Sequence, residues 1–471
     1  MHLVNLYGTI HNFFKGICMK NLSKAEYAFI VGGALNTIIG LFAGTFLIGQ
    51  IVSVDSSNIV HLAEYYLMIY SILCVTYLAL SIIFKRVNKL ITYRISILIK
   101  VLYILIIAYS GTFFSNHIVL LGLLYGFSEA FYYFSINYLK TDNIKTEFMK
   151  RFVPINSIAG YIINIIFPII FGYMIGYVNL QIASVVVLAF AIIMYLCSYM
   201  ISAKPTVRAP FRIKEYLNII KSDRGKSIRL SYLLNGIEGF RGVHGVFNTM
   251  FIVMAFNNTT GLGYVTSAFS VLYIVVATVF LQFNKKHAVD DNHSKKQSAF
   301  ILIAGILPFM GAMILGYKVD AVTFIIYDTI YLSCITVLSL INSISASTLA
   351  KRKYVQGYLS EYQCTSEVIT AIGRLLAFGL LGVVGLIGNP IVTMGYMLAS
   401  YIVVPIYAFV VNRLQASLQR DKRLGYDVYD VENTVIEDAE PIEASEPSGE
   451  MVSGQVVECA DSTDNDGVIL M

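Results

Sequence analysis

Charge is scarce in this sequence: 13% of its 471 residues are Asp, Glu, Lys or Arg, against 57% hydrophobic side chains. The mean hydropathy is +0.69. A soluble domain needs far more polar surface than 34 basic and 29 acidic residues supply, whereas a bilayer demands long apolar stretches broken by short charged turns. Cysteine is sparse too. Cys18, Cys74, Cys197, Cys334, Cys364 and Cys459 stand singly with no C-x-x-C pair, which argues against a disulfide framework or a zinc site. No G-x-S-x-G elbow, H-E-x-x-H helix or Walker loop occurs, so no catalytic residue, metal or cofactor is expected, and an ATP-driven pump is disfavoured. The first 24 residues lack the uninterrupted core of a signal peptide. Their apolar patch around Leu6, Tyr7, Ile10, Phe13 and Phe14 fits an interfacial helix instead. The stretch from Leu424 to Met471 contains no Lys or Arg and carries 13 acidic residues, so it reads as a disordered, solvated tail.

What is present is a succession of apolar runs of about 20 residues, each long enough to cross a bilayer as a helix. They predict spans near 27–53, 58–84, 93–114, 117–139, 153–176, 179–202, 228–255, 261–283, 298–317, 320–348, 364–387 and 390–413. The fold class is therefore an all-α polytopic membrane protein with about twelve transmembrane helices in two six-helix, pseudo-symmetric halves. The predicted organisation is a cytoplasmic segment 1–24, a first bundle 25–202, a basic linker 203–227, a second bundle 228–413 and an acidic tail 414–471. Positive charge is retained on the cytoplasmic side. Alternate loops collect 30 of the 34 Lys and Arg residues on one face, leaving Lys318 in an opposite loop and Lys100, Arg241 and Arg374 within spans. Both termini are thus expected in the cytoplasm, and the protein in the plasma membrane. The opposite-side connections are too short to hold a soluble domain. Within the linker, Phe211 to Lys221 is compatible with a helix lying on the membrane surface.

The halves show a weak repeat at an offset of about 200 residues. Lys85-Arg86 matches Lys285-Lys286, Lys150-Arg151 matches Lys351-Arg352, and Glu129 matches Asp328. With its six-plus-six spans, basic central loop and basic loops after the second and eighth spans, the chain resembles the major facilitator superfamily over roughly residues 25 to 415. That family's loop after the second helix reads G-x-x-x-D-R-x-G-R-K. Here the stretch is Ser81-Ile82-Ile83-Phe84-Lys85-Arg86-Val87-Asn88-Lys89-Leu90. The basic character at Arg86 and Lys89 survives, while Ser81, Lys85 and Asn88 replace both glycines and the acid. The family's antiporter pattern, sought in Ile163 to Gly172, matches at Pro168 and Gly172 alone.

Ionisable residues inside spans cost roughly 2.5–3.5 kcal/mol at a helix centre on insertion scales, so each needs a partner, a cavity or a role. In the seventh span Glu238, Arg241 and His244 recur every three residues along one face, accompanied by Gly236, Gly239, Gly242 and Gly245. Such small residues permit close backbone approach or a broken helix. The group either handles substrate or protons, or is an internal ion pair that stabilises packing. Arg374 in the eleventh span is placed to bind an anionic substrate or to neutralise Glu238 or Asp328; Glu367, two turns away, is a gating candidate together with Arg86 and Lys89. Glu129 and Asp328, at matched positions, are candidate proton carriers facing each other across the pseudo-symmetry axis, or neutral acids hydrogen-bonded within the bundle. Asn36, offset from Glu238, lines the cavity or bonds a neighbouring helix. Lys100 and Glu64 are expected to snorkel from span ends, and most tyrosines to sit in interfacial belts.

The sequence therefore predicts a secondary transporter, not an enzyme, that moves a small organic solute by alternating access with proton coupling. Its expected partners are that solute, protons and the lipid bilayer, with no nucleic acid, and it is expected to act as a monomer. Two other readings stand beside it: a lipid flippase, and a non-transporting sensor or partner protein on a transporter scaffold.

Overall fold

In a bilayer no water is available to satisfy backbone N–H and C=O groups, so a chain of this composition must close its hydrogen bonds within helices. The computed structural model describes residues 23–54, 59–83, 88–110, 117–144, 146–201, 211–222, 225–256, 259–287, 293–350 and 352–423, and among these every regular element is a helix. Eleven are long and apolar enough to cross a membrane. The remaining crossing, the seventh, consists of two shorter helices, Lys226–Arg241 and Val243–Phe256, joined at Gly242. The chain is a multi-pass membrane protein with about twelve spans.

The first span runs through Lys24–Leu41, a single π-type turn over Phe42–Phe46, and Leu47–Val54. The second to sixth are Ile59–Ile82, Lys89–Ser110, Ile118–Asn143, Thr146–Tyr177 and Leu180–Cys197. After the seventh come Thr259–His287, His293–Tyr317, Ala321–Ala350 and Leu359–Ile387, and the twelfth is Pro390–Ser400 continued after a turn by Val403–Arg423. Ends are fixed by side-chain caps. Ser23 and Glu26 form a reciprocal capping box, with Ser23 N donating to Glu26 Oε2 at 2.7 Å and Glu26 N to Ser23 Oγ at 3.2 Å. Asn88, which stands where the related loop has glycine, accepts from Leu90 N at 3.0 Å and opens the third span. Asp320 opens the tenth; the Thr323 N–H and then Lys318 hold its carboxyl down to about 2.

Several helices run past their predicted ends. The fifth begins at Thr146, the eleventh at Leu359, and the twelfth reaches Arg423. Charged residues such as Lys, Arg and Glu are good helix formers, so the helix continues into water where the apolar run stops. The predicted surface helix is Ile213–Lys221, and it is docked, not loose. Tyr216 is fully buried and its hydroxyl bonds that of Tyr232; Tyr358 donates to Glu215 at 2.9 Å, and Arg212 N donates to Glu361 Oε1 at 2.5 Å. These contacts fasten it to the basic ends of the seventh and eleventh spans. Residues 1–22, Arg86 and the stretch from 424 to 471 lie outside the described residues, while 414–423, expected as the start of the tail, continue the twelfth helix.

Packing follows glycine. The second span lies against the fourth and eleventh, the fifth against the first and eighth, and the seventh against the eleventh and twelfth. Where the seventh crosses the eleventh, a Cβ on Gly239 would strike the Thr370 carbonyl oxygen, and a Cβ on Gly373 would strike that of Gly236. The two backbones touch because neither residue has a side chain. In the same way a Cβ on Gly263 of the eighth span would collide with the Pro168 carbonyl oxygen and lie 3.1 Å from Gly172 in the fifth. Pro168 and Gly172, the two positions that match the antiporter pattern, thus serve here as a seat for another helix.

Candidate functional site

A cavity of about 460 Å³ opens between the first, second, fourth and eleventh spans. Its wall is built on helical period: Tyr66, Tyr70 and Tyr77 recur along one face of the second span, and Tyr125, Glu129 and Tyr133 along the fourth. Ala43 and Gly44, from the π-type turn, and Glu367 and Arg374 complete it. Such local widening of a helix is frequent at functional sites. Tyr66 stacks on Phe378 of the eleventh span, with ring centroids 4.3 Å apart and planes at 16°, and on Tyr70 at 5.8 Å and 18°.

Of the charged groups in the wall, Glu129 is already engaged. Lys100 of the third span reaches it at 2.7 Å, donates a further hydrogen bond to Asn36 Oδ1 in the first span, and lies 4.4 Å over the Tyr132 ring. Lys100 is 1% exposed at the middle of its helix. It does not snorkel, because eleven residues separate it from the Lys89 end of that helix and the stem of a lysine spans only about four carbons. Arg374 is different. Its guanidinium sits 4.9 Å over the Tyr70 ring, and among the described residues no carboxylate lies within ion-pair distance. The Gly242 break makes room for it, since a Cβ there would lie 3.7 Å from Arg374 Cγ. Glu367 is exposed in the same wall, two helical turns from Arg374.

The last six spans hold a second polar cluster. Arg241 donates to both carboxylate oxygens of Glu238, its Nε at 3.1 Å, and to Tyr331 Oη at 3.3 Å. Tyr331 Oη lies 3.3 Å from His244 Nδ1, and the fully buried His244 ring stacks on Tyr401 at 4.1 Å. Tyr401 and Tyr327 both donate to Asn248 Oδ1, at 3.2 and 2.8 Å, and Asn248 Nδ2 donates to Asp328 Oδ1 at 2.7 Å. A nearly continuous polar chain thus runs from Glu238 to Asp328 through buried and half-buried side chains. His244 Nε2 has no hydrogen-bond partner among the described residues, and neither does Asp328 have a cation within ion-pair distance there.

The structure brings Asn36 and Glu129 together through Lys100, and Arg374 and Glu367 into the same wall as Glu129. It brings Glu238, Arg241, His244 and Asp328 together in the other cluster. No hydrogen bond or ion pair among those described joins Glu129 to Asp328, or Arg374 to Glu238. Lys89 is half-buried at the start of the third span, and Arg86 lies outside the described residues. Sequence reasoning misplaced Lys100 at a span end and the tyrosines of both sites in interfacial belts, and it missed Asn248. Their signals were present: Lys100 sits in the middle of an apolar run, Asn248 continues the face of Arg241 and His244, and the wall tyrosines keep helical spacing.

No protein-family model matches the chain. No curated protein matches it by sequence. Solved structures match it in fold. A peptide transporter POT in complex with sulfate superposes with a TM-score of 0.64 over 84% of this chain and 95% of that one, at 9% identity. The nucleoside transporter NupG gives 0.57 over 84% and 99%, at 13% identity. The fucose:proton symporter FucP of E. coli gives 0.52 over 84% and 97%, at 12% identity. The chain has the fold of these transporters, the major facilitator type.

Proposed function

We propose that this protein is a secondary transporter that carries a small organic solute across the plasma membrane by alternating access, as a monomer with both termini in the cytoplasm. The observation that carries the reading is the polar cavity inside the bundle, with the Arg374 guanidinium in its wall. An unpaired cation there is costly to keep unless it has a role. The cavity lies where the second span meets the eleventh, and so where the two predicted six-helix halves meet. Rocking of two such halves exposes a central site to either side in turn.

Proton coupling belongs, in this reading, to the second cluster. Asp328 is held by the neutral amide of Asn248 and by no cation among the described residues, whereas Glu129 has Lys100. A lone carboxyl that passes between an enclosed and a wetted setting gains and loses a proton, and a carboxylate fixed in an ion pair does not do so readily.

Flux into proteoliposomes tests both parts. With a substrate found by screening, a pH gradient drives accumulation in the native protein, and Asp328→Asn lowers that accumulation about tenfold or more while leaving equilibrating exchange measurable. Gradient-driven accumulation that survives Asp328→Asn removes Asp328 from coupling. A protein that binds no solute and moves none, or that scrambles lipid instead, overturns the transporter reading. Reporter tags at either end respond only from the cytoplasmic side; an external C-terminus would require an odd number of spans.

A further inference from the structure

We infer that the solute taken by the tyrosine-lined cavity is a flat aromatic monocarboxylate whose carboxylate pairs with Arg374; the inference rests on the cavity being the transport site. Charge comes first. Glu129 is spoken for by Lys100 at 2.7 Å, which leaves Arg374 and Glu367 as the wall's ionic groups not paired with another side chain among those described. Arg374 is half-buried in the wall, so its guanidinium is partly withdrawn from water without an anion beside it, and a carboxylate arriving with the solute offsets that cost. The planar fork of Arg matches the two oxygens of a carboxylate in a bidentate pair.

Shape comes second. Tyr66 lies parallel to Phe378 and nearly parallel to Tyr70, at 16° and 18°, and Arg374 sits over the Tyr70 ring. The wall beside the cation therefore holds the roughly aligned rings of Tyr66 and Tyr70, backed by the buried Phe378, and a flat ring packs against them by offset stacking. A cavity of about 460 Å³ is at the small end of ligand sites, so it suits a compact molecule of one or two rings.

The far edge sets the valence. Phe378 lies one turn beyond Arg374 and Glu367 two turns before it, so a ring anchored at Arg374 and packed on Tyr70 and Tyr66 points away from Glu367. A second carboxylate on that edge is brought among aromatic rings with no cation to pair it. The wall is thus selective for one carboxylate at one end of a flat apolar body.

The chain contains no tryptophan, so naphthalene fluorescence is read in its presence without indole background. The purified full chain is titrated with 2-naphthoate, with 2-naphthamide, which has the same shape and no charge, and with 2,6-naphthalenedicarboxylate. The expected result is saturable binding of 2-naphthoate, at least about tenfold tighter than either of the others. Arg374→Gln brings 2-naphthoate down to the level of 2-naphthamide, and a monodisperse gel-filtration profile matching the native protein shows that the variant is folded. Equal affinity for acid and amide, an unchanged acid affinity in Arg374→Gln, or no binding of any naphthalene overturns the inference. So does 3-(2-naphthyl)alanine binding more than about tenfold tighter than 2-naphthoate, because Glu367 would then be holding an ammonium. Transport is judged separately, by thermal stabilisation with a broad metabolite panel. A hit outside the aromatic acids leaves the transporter reading standing; no hit in any class sinks both.

Discussion

Replacing Glu129 with Gln is expected to destabilise the protein by about 3–5 kcal/mol, because it strands the Lys100 ammonium at 1% exposure with only the Asn36 amide and the Tyr132 ring for company. The measurement is the unfolding midpoint of the purified protein in detergent. Lys100→Met alone has a similar cost, since it leaves Glu129 without its cation in a wall where that carboxylate is 8% exposed. The double variant Lys100→Met/Glu129→Gln recovers most of the loss: with both charges gone no ion remains to be desolvated, and replacing a buried pair by neutral groups is often close to neutral. A double variant as unstable as the two single losses added together would show that the pair is not the energetic unit. Sequence alone treats Glu129 and Asp328 as matched proton carriers; the structure gives only Glu129 a permanent countercharge, and so assigns it a structural share that Asp328 lacks.

The second large effect comes from glycines on one helix. Gly373→Ala places a methyl against the Gly236 carbonyl oxygen and 3.0 Å from Phe240 N, where only backbone can give way. Overpacking of this kind typically costs 1–3 kcal/mol, and here the neighbour is a rigid helix. Gly379, in the same span, has no atom within 4 Å of a built Cβ. Gly379→Ala is therefore expected to raise stability by roughly 0.5–1 kcal/mol, the ordinary gain of replacing glycine in a helix. Opposite signs of the midpoint shift at the two positions establish that the seam between the seventh and eleventh spans is closed by backbone contact. Stabilisation at both would mean that the helices separate easily there.

The number of spans and the clustering of basic loops were legible in the sequence because both follow from local composition: a bilayer filters for apolar length and for the sign of charge at the ends. The break at Gly242 was legible as an option, from glycines repeating every third residue, but not as a position. Arg374, Glu129 and Glu367 were found because a charge in an apolar run is conspicuous. What joins them was not, since pairing depends on how neighbouring helices are rotated and offset, and hydropathy carries no record of either. Lys100 shows the difficulty. Its approach to Glu129 requires the third and fourth spans to meet in one particular register, and nothing within Lys89–Ser110 states it. Tyrosine was misread for a related reason: its ring suits both a membrane interface and a buried wall, and only Tyr66, Tyr70 and Tyr77 read together on one face favour the wall.

The docking of Arg212 and Glu215 onto Glu361 and Tyr358 also bears on how far the molecule can open. It shortens the leash between the sixth and seventh spans. From Ile201, the last described residue after the sixth span, to Arg212 there are about eleven peptide steps, and a chain extends by at most about 3.6 Å per step whatever its path. As long as Arg212 stays bonded to Glu361, the basic end of the sixth span cannot move more than about 40 Å from that of the eleventh.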